Sequence, residues 1–248
     1  MQPDTIHKLT QLTNQFYQYH ADSFSKTRNS AWSGWQELLP FFQTDITPSV
    51  LDIGCGNGRF AQFLKESSMS FNYHGLDNSA ELIKTAQQQV ECENCAFSQQ
   101  DCFSESLVSE IPNRYSHLVL FGILHHLPSQ TKRLNYIAAL TQLLQPGGYI
   151  IISFWQPLNS PERFIKKQLN PTQFGIRLGE LEENDLLLGW QENTDYARYC
   201  HSFSDHEIDW YIQQISETCE LIKRFQADGK TSNLNQYLIW QKTTSEQI

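Results

Sequence analysis

Three glycines stand at alternate positions in LDIGCGNGRF, residues 51–60: Gly54, Gly56 and Gly58. An apolar run precedes them and a helical pattern follows. A glycine-rich turn after a first strand lets a nucleotide approach the backbone at the carboxyl ends of a sheet. Dinucleotide folds space these glycines G-x-G-x-x-G and seat a pyrophosphate on the helix N-terminus; here the spacing is G-x-G-x-G. Asp52, two residues before the first glycine, alters the chemistry. A carboxylate is a poor neighbour for a pyrophosphate and a good one for a cation. S-adenosylmethionine carries an ammonium and a sulfonium and no phosphate, so the loop favours that ligand. Two further acids fit. Asp77 ends a second strand, nineteen residues past Gly58, where a side chain accepts from ribose hydroxyls. Asp101 lies just after a third strand, where it can accept from an adenine amino group. Singly, Gly54 and Gly58 read equally well as turn glycines, Asp77 as a helix cap and Asp101 as a surface acid. The ordered set is what points to a ligand.

Such a site needs strands and helices in alternation. SVLDIG is a strand, RFAQFLKES a helix with Phe60, Phe63 and Leu64 on one face, and FNYHGLD a second strand. NSAELIKTAQQQV opens with Asn78 as N-cap and Glu81 three residues on, close to a capping box. CAFSQQD is a third strand, and YSHLVLFGI a fourth whose continuous apolar run suits a strand covered on both faces. A helix from Ser129 puts Leu134, Ile137, Ala138, Thr141 and Leu144 on one face and is stopped by QPGG; YIIISFW is the fifth strand. The alternation implies βαβ units and a parallel sheet. Ahead of it, residues 5–20 form an amphipathic helix through Ile6, Leu9, Leu12, Phe16 and Tyr17, and SAWSGWQELLPFF a second that ends near Pro40.

The regularity breaks at 156–200, which holds Pro157, Pro161, Pro171 and the acidic GELEENDLL; it reads as a lid or loop, with Ser160 and Pro161 starting a helix. Ser204 to Glu207, SDHE, is a capping box that begins a helix, and CELIKRFQAD and NQYLIWQK form an antiparallel hairpin through GKTSN. The expected fold is α/β, a doubly wound, Rossmann-like, mostly parallel seven-stranded sheet with that antiparallel C-terminal hairpin. It is one domain over 1–248: a helical N-terminal cap at 1–47, a ligand-binding core at 48–155, a lid or substrate insertion at 156–200, and the last helix and hairpin at 201–248.

Composition bounds the partners. The formal charge is -9 with a pI near 5.3, which argues against a broadly basic nucleic-acid-gripping surface. No signal-peptide pattern opens the chain and its longest apolar runs fall far short of a membrane span, so a cytoplasmic protein without membrane contact is expected. Cys92 and Cys95 form a CxxC with neither a second CxxC nor an HxxxH to complete a zinc site, and are expected to be reduced loop cysteines; no metal is expected.

The motifs LDIGCGNG, GLDNS, QQDCF, FGILHHL and LLQPGGYIII, in this order across residues 48–155, resemble those of class I S-adenosylmethionine-dependent methyltransferases. The flanks narrow the resemblance. FYQYHADSFSKTRNSAW, with Tyr17, Phe24, Ser25, Thr27, Arg28 and Trp32, looks like the N-terminal signature of the tRNA wobble-uridine (5-carboxymethyluridine) carboxyl methyltransferases. LHHLPSQTKR, RYCHSFSDHEIDWYI and DGKTSNLNQYLIWQK are similar to later segments of that family. The resemblance implies S-adenosyl-L-methionine as cofactor, bound by Asp52, Gly54, Cys55, Gly56, Asn57, Gly58, Asp77, Asn78, Asp101, Cys102, Phe121 and Tyr17. It also implies tRNA as acceptor and a small zinc-binding activator subunit as partner.

A carboxylate acceptor is already ionised at neutral pH and needs no general base. What it needs is placement, for which an arginine fork is suited. Arg28, between the two cap helices, is the candidate for that role, or a surface arginine bridging those helices. His125 and His126, after the fourth strand, orient the acceptor, act as base for an amine or hydroxyl acceptor, or simply shape the pocket. Tyr17 closes over the cofactor or is one more core aromatic. Lys132 with Arg133, and Arg163 with Lys166 and Lys167, are two basic clusters for RNA phosphates, or else solvated helix faces. Two other functions share these features: a small-molecule methyltransferase with the same core, and a cofactor-binding regulatory subunit without catalysis.

Overall fold

A computed structural model describes residues 1–27, 30–43, 46–159, 162, 164 and 166–244. The sequence expectations for Arg28, Arg163, the helix start at Ser160 and Pro161, and the Phe24 side chain lie outside what is described. The first helix, α1, runs over Pro3–Lys26, longer than its apolar stripe suggests. A 3-10 turn at Ser33–Leu38 leads directly into α2, Leu39–Phe42. Pro40 therefore sits in the first turn of α2, where its missing N–H costs nothing, and does not end a longer helix.

The core then alternates as expected. It comprises β1 (Ser49–Ile53), α3 (Arg59–Glu66), β2 (Asn72–Asp77), α4 (Ala80–Gln89), β3 (Cys95–Gln99) and α5 (Leu107–Glu110), followed by β4 (Tyr115–Leu120), α6 (Gln130–Leu140) and β5 (Leu144–Trp155). Three corrections apply within it. Ser79, not Asn78, caps α4, its hydroxyl accepting from Leu82 N–H at 3.3 Å. On α6 the fully buried positions are Arg133, Ile137 and Leu140, while Ala138 is exposed. Cys92 and Cys95 form a disulfide, because the turn into β3 brings their Cα atoms to 5.3 Å, within the span of a bridge.

The segment expected to be a loop contains a second small sheet, the hairpin of β6 (Asp185–Trp190) and β7 (Asn193–His201). Then come α7 (Asp205–Ile215), β8 (Cys219–Ala227) and β9 (Asn235–Lys242). The capping box at Ser204 is half formed. The Ser204 hydroxyl accepts from Glu207 N–H at 3.2 Å, but the Glu207 carboxylate is committed to Arg133, His201 and Tyr211.

The large sheet has seven strands in the order β3-β2-β1-β4-β5-β9-β8. The first five are parallel, and β9 runs antiparallel between β5 and β8, as expected. Both faces are covered, so alternate residues feed two cores. Leu51, Ile53, Leu118 and Ile150 pack with Ile137, Ile208 and Tyr211 from α6 and α7; Val50, Val119 and Ile151 pack with Trp35, Phe60 and Leu64 from the other side. Chain order reverses between β1 and β4, and ligands of such sheets bind outside the strand ends at that switch point. The small hairpin lies over this place. Leu187, Ala197 and Tyr199 pack on Leu9 of α1, while Leu186, Leu188 and Cys200 pack with Phe164 near Trp155 and Leu234. Among the described residues no helix is long and apolar enough to cross a membrane.

Candidate active site

One cavity of about 1070 Å³ opens at the switch point, walled by α1, the glycine loop, the ends of β2 and β4, and the β6–β7 hairpin. Its floor follows from backbone constraints. Gly54, Gly56 and Gly58 have φ of 77°, 58° and 78°, a region that side chains disfavour. A Cβ on Gly56 would meet nothing within 4 Å, so that residue presents bare backbone to the cavity. Gly58 does a different job: a Cβ there would lie 2.8 Å from Val90 and 3.1 Å from Ala86, so its glycine permits close packing of α4. Gly58 is not among the residues lining the cavity.

The acids divide similarly. Asp77 accepts from Gly56 N–H and from Ser79 N–H, both at 2.9 Å, which fixes its carboxylate at the end of β2 against the cavity. Burial raises its pKa, and those two amides hold it down. Asp52 lines the cavity from the end of β1 and accepts from the Tyr73 hydroxyl. Burial pushes its pKa up to about 7, with the Tyr73 hydrogen bond opposing and the nearby Asp77 adding to the rise. Asp101 is exposed and does not line the cavity; its carboxylate accepts from Phe103 N–H at 3.0 Å. Asn78 accepts from Cys102 N–H at 2.8 Å, which ties the third strand's loop to the second, and both residues line the cavity together with Cys55, Asn57 and Phe121. Gln99 and Phe103 line it as well and were not anticipated.

Across the cavity from the loop stand Tyr17, His125 and His126. His126 Nδ1 lies 2.7 Å from the carbonyl of Tyr199, which can only accept, so Nδ1 carries the proton. Nε2 is therefore the acceptor, and the Tyr17 hydroxyl donates to it at 2.8 Å. Arg198 Nη1 in turn donates to the Tyr17 oxygen at 3.4 Å. His126 thus has both nitrogens engaged and positions Tyr17. His125 lies against Trp155 with ring centroids 4.7 Å apart. His125, His126 and Cys200 are grouped closely enough to suggest a metal. The engaged His126 nitrogens, and a Cys200 thiol that burial pushes up to about 12, make it a poor ligand set.

Sequence reasoning missed Trp155, Trp190 and Arg198, which also line the cavity, and placed Lys167, another lining residue, in a basic cluster for RNA phosphates. Two of them sit on the unanticipated hairpin, at the edge of its Gln191–Glu192 turn or on its second strand. Arg133, expected in a surface basic cluster, is 0% exposed. It donates to Glu182 at 3.2 Å, Glu207 at 3.1 Å and the Tyr211 hydroxyl at 3.0 Å, so it cannot meet RNA phosphates.

The site fits a cationic, hydroxyl-bearing nucleoside: bare backbone at Gly56, a fixed carboxylate at Asp77, and at Asp52 a buried carboxyl whose ionised form a cation would favour. Fold and site together define a methyltransferase. The methyltransferase domain model matches residues 20–215, and the chain belongs to that family. Two relatives share a more specific likeness. The chain is 26% identical over 177 residues to the mouse tRNA (carboxymethyluridine(34)-5-O)-methyltransferase ALKBH8, covering 70% of this chain and 24% of that protein. It is 28% identical over 146 residues to the Arabidopsis thaliana tRNA (carboxymethyluridine(34)-5-O)-methyltransferase, covering 57% and 32%. The chain thus spans about a quarter to a third of the length of these relatives. In fold it resembles a chain of the Haloferax volcanii complex between the Trm112 methyltransferase activator and a methyltransferase. There the TM-score is 0.65 at 12% identity, over 95% of this chain and 100% of that one.

Proposed function

We propose that this protein transfers a methyl group from S-adenosyl-L-methionine to a carboxylate on a modified tRNA wobble uridine, in the cytoplasm. One observation carries the reading: a single cavity joins the acid-ringed glycine loop to Tyr17 and the paired histidines. The wobble-uridine signatures at 16–32 and 228–242, and the two relatives named for that reaction, support the acceptor. When bound, the cofactor supplies a methyl carbon whose sulfonium takes the bonding electron pair as the acceptor oxygen takes the methyl. Asp77 would hold its ribose and Asp52 would face its positive charge. Gly56 and Cys102 would line its path.

A carboxylate acceptor has a pKa of about 4 and loses no proton at neutral pH, so no residue here need act as a base. That agrees with a His126 whose two nitrogens are already committed. The chain's work is placement, by Tyr17 on its His126–Arg198 support and by Arg28. A small activator, of the kind in the Haloferax complex, is the partner this reading brings with it.

The test is a labelled-methyl assay with tRNA lacking the terminal methyl ester, with and without such an activator. Base-labile label on the tRNA is expected, and Arg28→Ala is expected to abolish it while sparing cofactor binding. No transfer in either condition would leave a small carboxylic acid as acceptor. The overall charge of -9 and the burial of Arg133 favour that second reading.

A further inference from the structure

The charges lining the cavity are unevenly distributed, with Arg59 of α3, which donates to the Ser30 carbonyl at 3.0 Å, as the described cation on the glycine-loop side. Three of the described acids, Asp52, Asp77 and Glu81, belong to the glycine-loop side, on β1, β2 and α4. The fourth, Asp228, spends its carboxylate on donors from Ser33, Gly34, Asn235 and Tyr237. The hairpin side is cationic. Arg198 on β7 is 7% exposed and stands over two rings, 5.1 Å from that of Phe16 and 5.8 Å from that of Trp190. Lys167 Nζ stands 5.4 Å from the same Trp190 ring. Its backbone is fixed to the hairpin by Gly189 N–H donating to Lys167 O at 2.9 Å. Trp155, Phe164 and Leu188 complete an apolar surround.

We infer that Arg198 and Lys167, both against Trp190, form the subsite that takes the acceptor's carboxylate and selects the acid over its methyl ester. This deepens the proposed reaction and rests on that reading. The physical reason is where each charge stands. Positive donor and negative acceptor need opposite fields at the two ends of one space, and this cavity has three acids against Arg59 at one end and Arg198 with Lys167 at the other. A guanidinium among aromatic rings is poorly hydrated, so an anion beside it replaces little water and gains more than it would at a surface. Methylation removes the acceptor's charge. The subsite therefore holds the substrate acid and has no electrostatic grip on the ester product, which leaves. Because the same cations stabilise the acid before reaction, they contribute to KM and to placement more than to kcat.

The alternative role for Arg198 is structural, bracing α1 against β7 through Phe16 and Tyr17. The two roles separate in a binding experiment on the full chain saturated with S-adenosylhomocysteine, read by ligand-observed NMR. Two probe pairs are used: phenylacetate with its methyl ester, and 5-carboxymethyluridine with its methyl ester. The wild-type protein should prefer the acid. Arg198→Gln should cut the acid-over-ester preference about tenfold, the value of one hydrogen bond to a charged group. Lys167→Gln should cut it less, and Arg198→Lys should restore part of it. S-adenosylhomocysteine affinity and the melting temperature are read alongside. If Arg198→Gln does not fold, Lys167→Gln and Arg198→Lys still decide the matter. A structural arginine would change stability and leave the preference intact, and that result overturns the inference. So does a wild-type protein that binds ester as well as acid in both pairs. Preference for phenylacetate with indifference to both uridines would keep the subsite and overturn the wobble-uridine reading.

Discussion

Asp52 is a buried carboxyl in the wall of the cavity. Burial holds its pKa up at about 7, against the Tyr73 hydrogen bond that lowers it. At that value it is about half protonated near neutrality. A cationic cofactor binds the ionised form better, so its affinity should rise as the pH climbs from about 6 to about 8 and then level off. Calorimetric titration across that range checks this, and Asp52→Asn should flatten the curve and weaken binding throughout. The sign for stability is the opposite. The folded-state pKa lies above the ordinary 3.8, so the native protein holds an extra proton between about 4 and about 7. This group's contribution is present below that window and is lost as the pH rises through it.

At the scale of elements, the β6–β7 hairpin decides what faces the glycine loop across the cavity, and a buried ionic network holds the hairpin in place. Arg133 of α6, Glu207 and Tyr211 of α7, and Asp185, Tyr199 and His201 of the hairpin form one connected set with Glu182. His201 donates to Asp185 at 2.7 Å and to Glu207 at 2.6 Å. Burial alone would lower its pKa, but these two carboxylates outweigh that and raise it. Removing one member leaves the others buried and uncompensated. Arg133→Met should therefore cost about 3–5 kcal/mol in a urea titration, and should weaken acceptor binding more than cofactor binding.

Little of that network was legible in the sequence. Strand and helix alternation revealed the parallel sheet because its signals are local: apolar runs, a glycine loop, a proline-glycine stop. The hairpin hid because its two-residue turn is Gln191–Glu192, with no glycine, asparagine or aspartate at the position where Gln191 adopts φ 56°. Its first strand opens within an acidic stretch that resembles a loop. Arg133 looked like half of a basic pair because its partner Glu207 is 74 residues away. The glycine loop, Asp77 and the paired histidines were legible because each is attached to the end of a recognisable strand. Arg198 and Trp190 were not, since the strands that carry them were not.

The chain carries a formal charge of -9, and a tRNA acceptor would meet it as one polyanion meets another. Among the described residues of the two expected basic clusters, Arg133 is buried, Lys167 faces the cavity, Lys132 lies 4.0 Å from Glu105 and Lys166 is exposed. Of those clusters, Lys132 and Lys166 are the described cations left at the surface. The chain alone should thus bind tRNA with a shallow salt dependence, a slope of log K against log salt of about -2 or less in magnitude. Filter binding at several salt concentrations measures it. A slope near about -6 would mean a phosphate-binding strip elsewhere on the chain.

The two ends of the cavity also come from different kinds of chain segment. The glycine-loop end is built by nearly contiguous sequence, from Asp52 through Cys102, while the far end is assembled from α1, the hairpin and the turn before β9. Duplicated copies of such a gene can therefore diverge in clientele by editing a short stretch around Trp190 and Arg198, while inheriting the donor machinery unaltered.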